Sequence, residues 1–269
     1  MFQYAFGKAL EYELKQKVLF DDSWFREAKK EIVNEKKENS IGVVMRDYGL
    51  NIFNLNILFA NDQQIRSCKN VVREKRDFVY DEKLLKDYGS SCYIGYFQNE
   101  GYFKRIRSQI KEAFKFPSIP LTDKFNQEWL DKIRKSENSV FIHIRRGDYL
   151  NLKGWTLSMD YYKRAVKYIQ DNVENPRFFV FGQDCGNYIK NEFGIDVPFE
   201  IVGEINSKNK EDWKDLVLMK ACKHAIIANS TFSWWAAWLG RANTDGIVIA
   251  PTPFIHGRDE IVCDNWVKR

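Results

Sequence analysis

The chain has 269 residues, which is long enough for one large domain or two modest ones and for a sizeable buried core. Hydrophobic residues make up 44% and charged residues 29%, as in ordinary soluble globular proteins, so the composition disfavours a disordered or fibrous chain. The net charge of +5 and the pI of about 8.8 are compatible with an anionic ligand, a membrane surface or an ordinary solvated surface.

Cysteine and histidine usage bears on the compartment and on metal binding. The five cysteines are scattered and include no C-x-x-C pair, which predicts a reducing compartment and disfavours disulfides or a zinc site. The histidines lack metal-ligand spacing, and no D-x-D triplet is present to hold a divalent ion; His224 and His256 are expected to be structural. With no visible signal peptide or membrane-spanning run, we predict a cytoplasmic protein without metal or cofactor, with a peripheral position at the inner face of a membrane as an alternative.

The first half of the chain is predicted to form a smaller α/β domain. Apolar residues at helical spacing predict a helix from Met1 to about Leu14, followed by a short strand at 17–20. A strand is expected at 92–97 and a basic amphipathic helix at 102–114, whose charges lack a companion nucleic-acid motif and are interpreted as a solvated face. A proline-containing segment at 116–120 sets the boundary, so the predicted domains are 1–116 and 117–269.

The second half alternates strands and helices. Predicted strands lie at 140–145, 177–181, 199–202, 225–228 and 247–250, and predicted helices at 159–173, 187–193, 210–223 and 231–239. Repeated β-α units with short connections imply a parallel sheet with helices on both faces, a Rossmann-like arrangement. The sequence contains neither G-x-G-x-x-G nor G-x-x-x-x-G-K, which disfavours a dinucleotide enzyme and a P-loop NTPase.

The most informative stretch is Val140–Tyr149, which reads V-F-I-H-I-R-R-G-D-Y. Its apolar run fits a buried strand, and the strand ends abruptly in Arg145 and Arg146. Ligands bind at the carboxyl ends of strands in open α/β sheets, and an arginine fork matches the oxygens of phosphate, so we predict a pyrophosphate site here. His143 and Arg145 share one face of the strand, whereas Arg146 turns the other way.

A second phosphate-binding element is predicted at N-S-T-F, residues 229–232, between a strand and a helix. Asn229 or Ser230 can cap that helix, whose start offers backbone N–H groups and a positive dipole end. The following helix carries three tryptophans at helical spacing, which we expect in the core rather than as a sugar platform. These are Trp234, Trp235 and Trp238.

These motifs resemble those of the bacterial α-1,2-fucosyltransferases of glycosyltransferase family 11. H-I-R-R-G-D-Y resembles the H-x-R-R-x-D motif of the α-1,2/α-1,6 fucosyltransferase superfamily. Two segments point to the bacterial α-1,2 branch: D-L-V-L-M-K-A-C-K-H-A-I-I-A-N-S-T-F-S-W-W-A-A-W-L at Asp215–Leu239, and the initial M-F-Q-Y-A-F-G-K-A-L. The resemblance implies a two-lobed GT-B fold of two Rossmann-like lobes, with the nucleotide in the second lobe and the acceptor on the first.

The resemblance also implies the reaction and the donor site. The reaction is the inverting, metal-independent transfer of L-fucose from GDP-fucose to the 2-hydroxyl of a galactoside in a glycan. The family pattern assigns His143 and Arg145 to the nucleotide diphosphate. It places three further residues at the β-phosphate and ribose, namely Ser230, Thr231 and Phe232.

Three other residues complete the predicted site. Arg146 joins the donor-binding set or braces its loop through an ion pair, with Asp148 as the nearest partner. Asp148 is also the nearest candidate for a base that takes the proton of the acceptor hydroxyl. Asp184 follows a predicted strand and could accept hydrogen bonds from a guanine edge, although the family often has S-D-D where this chain has G-Q-D.

The start of the chain departs from the family pattern. In the family, the first helix follows a Gly-rich turn, roughly G-G-L-G-N-Q, that runs directly into M-F-Q-Y-A. This chain begins at that Met, so we expect a first lobe truncated at its start, with a naturally shorter protein as the alternative. The rival functions are an α-1,6 or protein fucosyltransferase and a catalytically impaired GDP-sugar-binding relative.

Overall fold

The structure is a computed structural model that describes residues 1–26, 48–86, 89–182, 185, 197–203, 205–240 and 242–269. The chain divides into two compact units, Met1–Pro117 and Ser118–Arg269, and the junction lies in the proline-containing segment. In this described part of the chain, no helix is both long and apolar enough to cross a membrane.

The described residues of the first unit include a small parallel sheet and the helices α1 (Phe2–Leu14), α2 (Asp62–Ser67) and α3 (Arg107–Ala113). Strands β1 (Asn70–Arg73) and β2 (Ser91–Ile94) pair in parallel. Short 3-10 turns lie at Gly49–Ile52, Glu82–Leu85, Glu100–Tyr102 and Lys104–Ile106.

An aromatic core holds α1 in the first unit. The helix buries one apolar face, on which the Phe6 ring stacks on Phe97 with ring centroids 3.8 Å apart. The predicted first helix is therefore confirmed. The predicted strand at 17–20 is wrong, because only Phe20 pairs, in a single bridge with Phe59. The predicted helix at 102–114 is regular only from Arg107 to Ala113, since 3-10 turns precede it.

The second unit is a six-stranded sheet with helices. Its strands are β3 (Ser139–His143), β4 (Arg177–Phe181), β5 (Phe199–Gly203), β6 (His224–Ile226), β7 (Val248–Ala250) and β8 (Val267–Lys268). Its helices within the described residues are α4 (Lys124–Lys135), α5 (Met159–Asn172), α6 (Ile205–Lys208), α7 (Trp213–Ala221), α8 (Thr231–Leu239) and α9 (Ala242–Asp245). The predicted α/β class and parallel sheet are confirmed, whereas the helix predicted at 187–193 lies outside the described residues.

The strand order creates a point where the direction of winding reverses. All neighbouring strands are parallel, in the order β5-β4-β3-β6-β7-β8. The chain moves from β3 through β4 to β5 on one side, and then returns to place β6 on the other side of β3. Ligands bind at such switch points, in the crevice outside the carboxyl ends of the strands. The crevice of this sheet therefore lies between the loops that follow β3 and β6.

The core explains why β3 reads as a continuous apolar run. Val140, Ile142 and Ile144 pack into the core cluster that contains the buried residues of α5, and all five residues of β3 are buried. A parallel sheet that is covered on both faces requires such a run. The predicted burial of the tryptophans of α8 is confirmed, since Trp234 and Trp238 are fully buried. The indole N–H of Trp234 donates to the carbonyl of Ile261 at 2.8 Å.

Gly182 lets the loop after β4 approach the loop after β3. Its φ is +136°, and a Cβ there would lie 2.1 Å from the carbonyl oxygen of Ile144. That contact is with backbone, which cannot move aside without displacing the residue before Arg145. A side chain at Gly182 would therefore disturb the loop after β3.

We expect Gly182→Ala to lower the free energy of unfolding by more than about 2 kcal/mol, through strain at positive φ and the clash with Ile144. Chemical denaturation of the purified variant measures the change. Gly203→Ala is the matched control, because Gly203 also has a positive φ, +88°, but has no atom within 4 Å of the added Cβ. Equal losses of unfolding free energy in the two variants would show that the close approach to Ile144 does not contribute to the destabilisation.

Candidate functional site

The loop after β3 orients Arg145 from two sides. The Ile144 N–H donates to the Phe181 carbonyl at 2.9 Å, which extends the pairing with β4 by one residue. Arg145 Nη2 lies 2.7 Å from Asp148 Oδ1, and the guanidinium carbon lies 5.2 Å from the centre of the Tyr149 ring. The sequence suggested Arg146 as a partner of Asp148, and the structure pairs Asp148 with Arg145. Arg145 Nε is buried without a hydrogen-bond partner among the described residues, which leaves a donor for an anion.

His143 ends β3 as a buried, neutral imidazole. Only 4% of the residue is exposed, and its Nδ1 has no hydrogen-bond partner among the described residues. Burial, and then the positive charge of Arg145, lower the pKa of His143 from 6.5 to about 3. The ring is therefore uncharged at neutral pH, so it offers a hydrogen bond rather than a positive charge.

The start of α8 faces the same crevice from the end of β6. Ser230 caps the helix, since the Phe232 N–H donates to Ser230 Oγ at 3.4 Å; of the two predicted caps, Ser230 is thus the one observed. Ser233 Oγ accepts a bond from the Ala228 N–H at 3.2 Å and so braces the turn from β6 into α8. Thr231 and Phe232 are half-buried at the first turn of the helix.

Direct contacts join these two elements. The Tyr149 hydroxyl donates to the Asn229 carbonyl at 3.2 Å, which connects the loop after β3 to the residue before Ser230. The Phe232 ring lies against His143, with ring centroids 5.7 Å apart. The structure therefore brings most of the predicted residues to one crevice. Asp184 lies outside the described residues.

Sequence reasoning missed three aromatic residues at this edge of the sheet. Tyr149 contacts Trp155 with centroids 5.2 Å apart, and Trp155 contacts His256 with centroids 5.0 Å apart. Tyr149 directly follows the R-R-G-D letters, which was a usable signal, whereas Trp155 and His256 carried no pattern. His256 was expected to be structural, but it lines a cavity beside Asn229. His224 is structural as expected, because its Nδ1 accepts a bond from the Ile247 N–H at 3.1 Å.

The described side chains at the crevice suit an anion rather than a metal ion. Within the part of the chain that the structure describes, no three His, Cys, Asp or Glu side chains come together to hold a metal ion. The crevice instead presents a guanidinium, a neutral imidazole and a nine-residue helix whose N-terminus is capped by Ser230. Guanidinium groups and helix starts both favour phosphate groups, so the arrangement can bind an anion such as a diphosphate.

The sequence profile described as "Glycosyl transferase family 11" matches residues 61–268, a range that contains the whole crevice. The chain belongs to glycosyltransferase family 11. The match covers well over half of the 269 residues and includes the entire six-stranded sheet of the second unit. The resemblance that the motifs suggested is thereby confirmed, and the protein is a glycosyltransferase.

Three relatives show which glycosyltransferases this chain resembles. An O-antigen biosynthesis glycosyltransferase of Escherichia coli is 31% identical over an alignment covering 100% of this chain and 96% of the relative. An α-1,2-colitosyltransferase of Escherichia coli is 38% identical, over 67% of this chain and 63% of the relative. A galactoside α-(1,2)-fucosyltransferase 1 of Leontocebus fuscicollis is 30% identical, over 53% of this chain and 41% of the relative. No solved structure matches this chain significantly.

The lowered pKa of His143 predicts that the folded protein loses stability as the pH falls. In the unfolded chain the His143 imidazole takes up a proton near pH 6.5, whereas in the folded chain it does so only near pH 3. The contribution of His143 to stability is therefore complete above about pH 6.5 and is lost as the pH falls towards 3, with a slope of at most about 1.4 kcal/mol per pH unit. Denaturation curves between pH 7 and 4 measure this slope.

His143→Gln should reduce that slope, because glutamine does not titrate. His256→Asn is the matched control, since it removes a histidine whose side chain is exposed in the folded protein. We expect the control to keep the slope of the unsubstituted protein. A slope that is unchanged in His143→Gln would contradict the assignment of a neutral, buried imidazole.

Proposed function

We propose that the protein transfers L-fucose from GDP-fucose to the 2-hydroxyl of a galactoside in a glycan, with inversion and without a metal ion. Membership of family 11 and the α-1,2 linkage in the names of two relatives support this proposal. The observation that carries it is the switch point of the sheet, where the loop that bears Arg145 and the capped start of α8 are joined by the Tyr149–Asn229 and His143–Phe232 contacts. Those groups suit the diphosphate of a nucleotide sugar.

We propose that the two units bind different substrates. We assign the nucleotide sugar to Ser118–Arg269, because the anion-binding groups all lie in that unit. The acceptor galactoside is assigned to Met1–Pro117, as the family resemblance implies for a two-lobed GT-B enzyme. This assignment leaves the α-1,6 and protein fucosyltransferases as the less favoured candidates, since the relatives are named as α-1,2 enzymes.

The residues of the crevice then take separate roles. Arg145 binds the diphosphate through its fork, and its buried Nε supplies a donor that no other described residue uses. His143 donates or accepts a hydrogen bond at the donor as a neutral ring. Phe232 and Thr231 border the ribose and β-phosphate, and Arg146 belongs to the same donor-binding set.

The proposed chemistry is a single displacement. The acceptor 2-oxygen forms a bond to the anomeric carbon of fucose from the face opposite GDP, and the bond from that carbon to the β-phosphate oxygen breaks. GDP leaves with the electron pair, and Arg145 and the start of α8 stabilise the charge that develops on it. A base takes the acceptor proton. Asp148 was the predicted base; because its pairing with Arg145 at 2.7 Å puts it on the side of the leaving GDP, we propose instead that it orients Arg145.

A transfer assay tests the proposal directly. We expect fucose transfer from GDP-fucose to a β-galactoside, with an α-1,2 product, in a buffer that contains EDTA. Product linkage is read by nuclear magnetic resonance, and lacto-series, core-chitobiose and peptide acceptors distinguish the rival linkages. Transfer that requires added Mg²⁺ or Mn²⁺, or a product that is not α-1,2-linked, would contradict the proposal. Binding of GDP-fucose without any turnover would favour the catalytically impaired relative.

A second donor sugar has specific support. The relative named as an α-1,2-colitosyltransferase is 38% identical, a higher identity than that of the fucosyltransferase from Leontocebus fuscicollis. Colitosyl transfer is therefore the second candidate function. Parallel assays with GDP-fucose and GDP-colitose separate the two, and the larger kcat/KM identifies the donor.

Arg145→Lys should lower the transfer rate by about ten- to a hundredfold, because lysine keeps the charge but loses the two-pronged bond to the diphosphate. Steady-state kinetics with saturating acceptor measure the effect. Arg177→Lys is the matched control, since Arg177 begins β4 at the opposite end of the strand and pairs with Glu200. Unchanged turnover in a folded Arg145→Lys protein would remove Arg145 from the diphosphate site.

A further inference from the structure

We infer that a cavity beside the diphosphate site holds the sugar ring of the donor, with Asn229, Trp155 and His256 as the groups that recognise it. This inference rests on the proposed function, because it assumes a nucleotide-sugar donor. The cavity has a volume of about 210 Å³ and lies wholly within the second unit. Pockets that hold a whole drug-sized ligand measure about 300–1,000 Å³, so this volume suits one ring rather than a complete nucleotide sugar.

The position of the cavity follows from the order of the strands. Its walls come from the loop after β3, the first part of α5, Asn229 in the turn after β6, the loop after β7 and Arg269. The diphosphate elements follow β3 and β6, so the cavity extends from them towards the β7 side of the sheet. The diphosphate is the middle of a nucleotide sugar. A group bound next to it is therefore either the sugar or the nucleoside.

The contacts around Asn229 connect the cavity to the diphosphate site. Asn229 directly precedes the helix cap Ser230, and its carbonyl accepts the bond from Tyr149, whose ring packs beside Arg145. Asn229 Nδ2 donates to the Trp155 carbonyl at 2.7 Å. A ligand ring in the cavity would thus adjoin a diphosphate at Arg145 and Ser230.

The unpaired oxygen of Asn229 points to a ligand with hydroxyl groups. Asn229 is 4% exposed, and its Oδ1 has no hydrogen-bond partner among the described residues. The amide orientation is set by its neighbour, since the Trp155 carbonyl can only accept and must face the nitrogen. A buried acceptor without a partner is costly, and a sugar hydroxyl supplies the missing donor.

The other walls favour a sugar over a guanine base. The Trp155 and His256 rings meet at 80° and offer aromatic surface to the C–H face of a sugar. Guanine presents adjacent N–H donors, which a carboxylate matches best, and none of the described residues that line the cavity is acidic. Arg164 and Arg269 also line it and are exposed, so an inorganic anion is the competing occupant that the experiment must exclude.

The experiment compares GDP and GDP-fucose binding by calorimetry in His256→Asn and Trp155→Leu. Asparagine is chosen at 256 because the φ of +48° suits it better than most residues. We expect the Kd for GDP to stay within about twofold and the Kd for GDP-fucose to rise at least about tenfold, because only the latter ligand fills the cavity. Trp129→Leu is the matched control, a half-buried tryptophan of α4 that does not line the cavity, and should change neither Kd.

Each other result overturns the inference. Equal weakening of GDP and GDP-fucose would place the nucleoside in the cavity, and weakened inorganic pyrophosphate binding would make it an anion site. Unchanged affinity for both ligands, or a raised acceptor KM with unchanged GDP-fucose binding, would remove the donor sugar from it. If Trp155→Leu fails to fold, His256→Asn decides alone. Failure of the unsubstituted protein to bind GDP-fucose would instead overturn the proposed function, and this is seen before any variant is made.

Discussion

The parallel pairing of β3 with β4 on one side and β6 on the other is the constraint on which the site depends. Because β3 is an inner strand and is buried along its whole length, its polar residues lie where the strand begins or ends. Its neighbours continue in opposite directions across the sheet, so the loops after β3 and β6 diverge and leave a crevice. The order of the strands thus determines where Arg145 and Ser230 meet.

The crevice also contains buried polar atoms whose hydrogen-bonding capacity is unused among the described residues. Arg145 Nε, His143 Nδ1 and Asn229 Oδ1 are all buried and lack hydrogen-bond partners among the described residues. Buried polar groups are normally satisfied, and exceptions are concentrated at functional sites. The three atoms come from loops or strand ends that the core holds in place, so the protein keeps them oriented before a ligand arrives. Such preorganisation makes electrostatic stabilisation effective, since little reorganisation is needed during the reaction.

Much of the second unit could be predicted from the sequence, because parallel strands buried on both faces leave apolar runs that are easy to recognise. The burial of Trp234 and the start of α8 at Thr231 follow from local spacing and capping alone. The first unit was harder, since its fold depends on aromatic contacts between distant segments, such as Phe6 with Phe97, which no periodicity records. Trp155 and His256 were missed for the same reason, because the sheet brings them together across about one hundred residues.

The bond from the Tyr149 hydroxyl to the Asn229 carbonyl has a consequence for engineering the protein. Tyr149 and Trp155 belong to one loop, while Asn229 and His256 belong to segments far along the chain, and each of these groups contacts the next. A graft that brings in one of these segments from a relative with another donor would leave the remaining contacts mismatched. Chimeras at this edge of the sheet should therefore exchange residues 145–158, 229–232 and 251–256 as a single cassette.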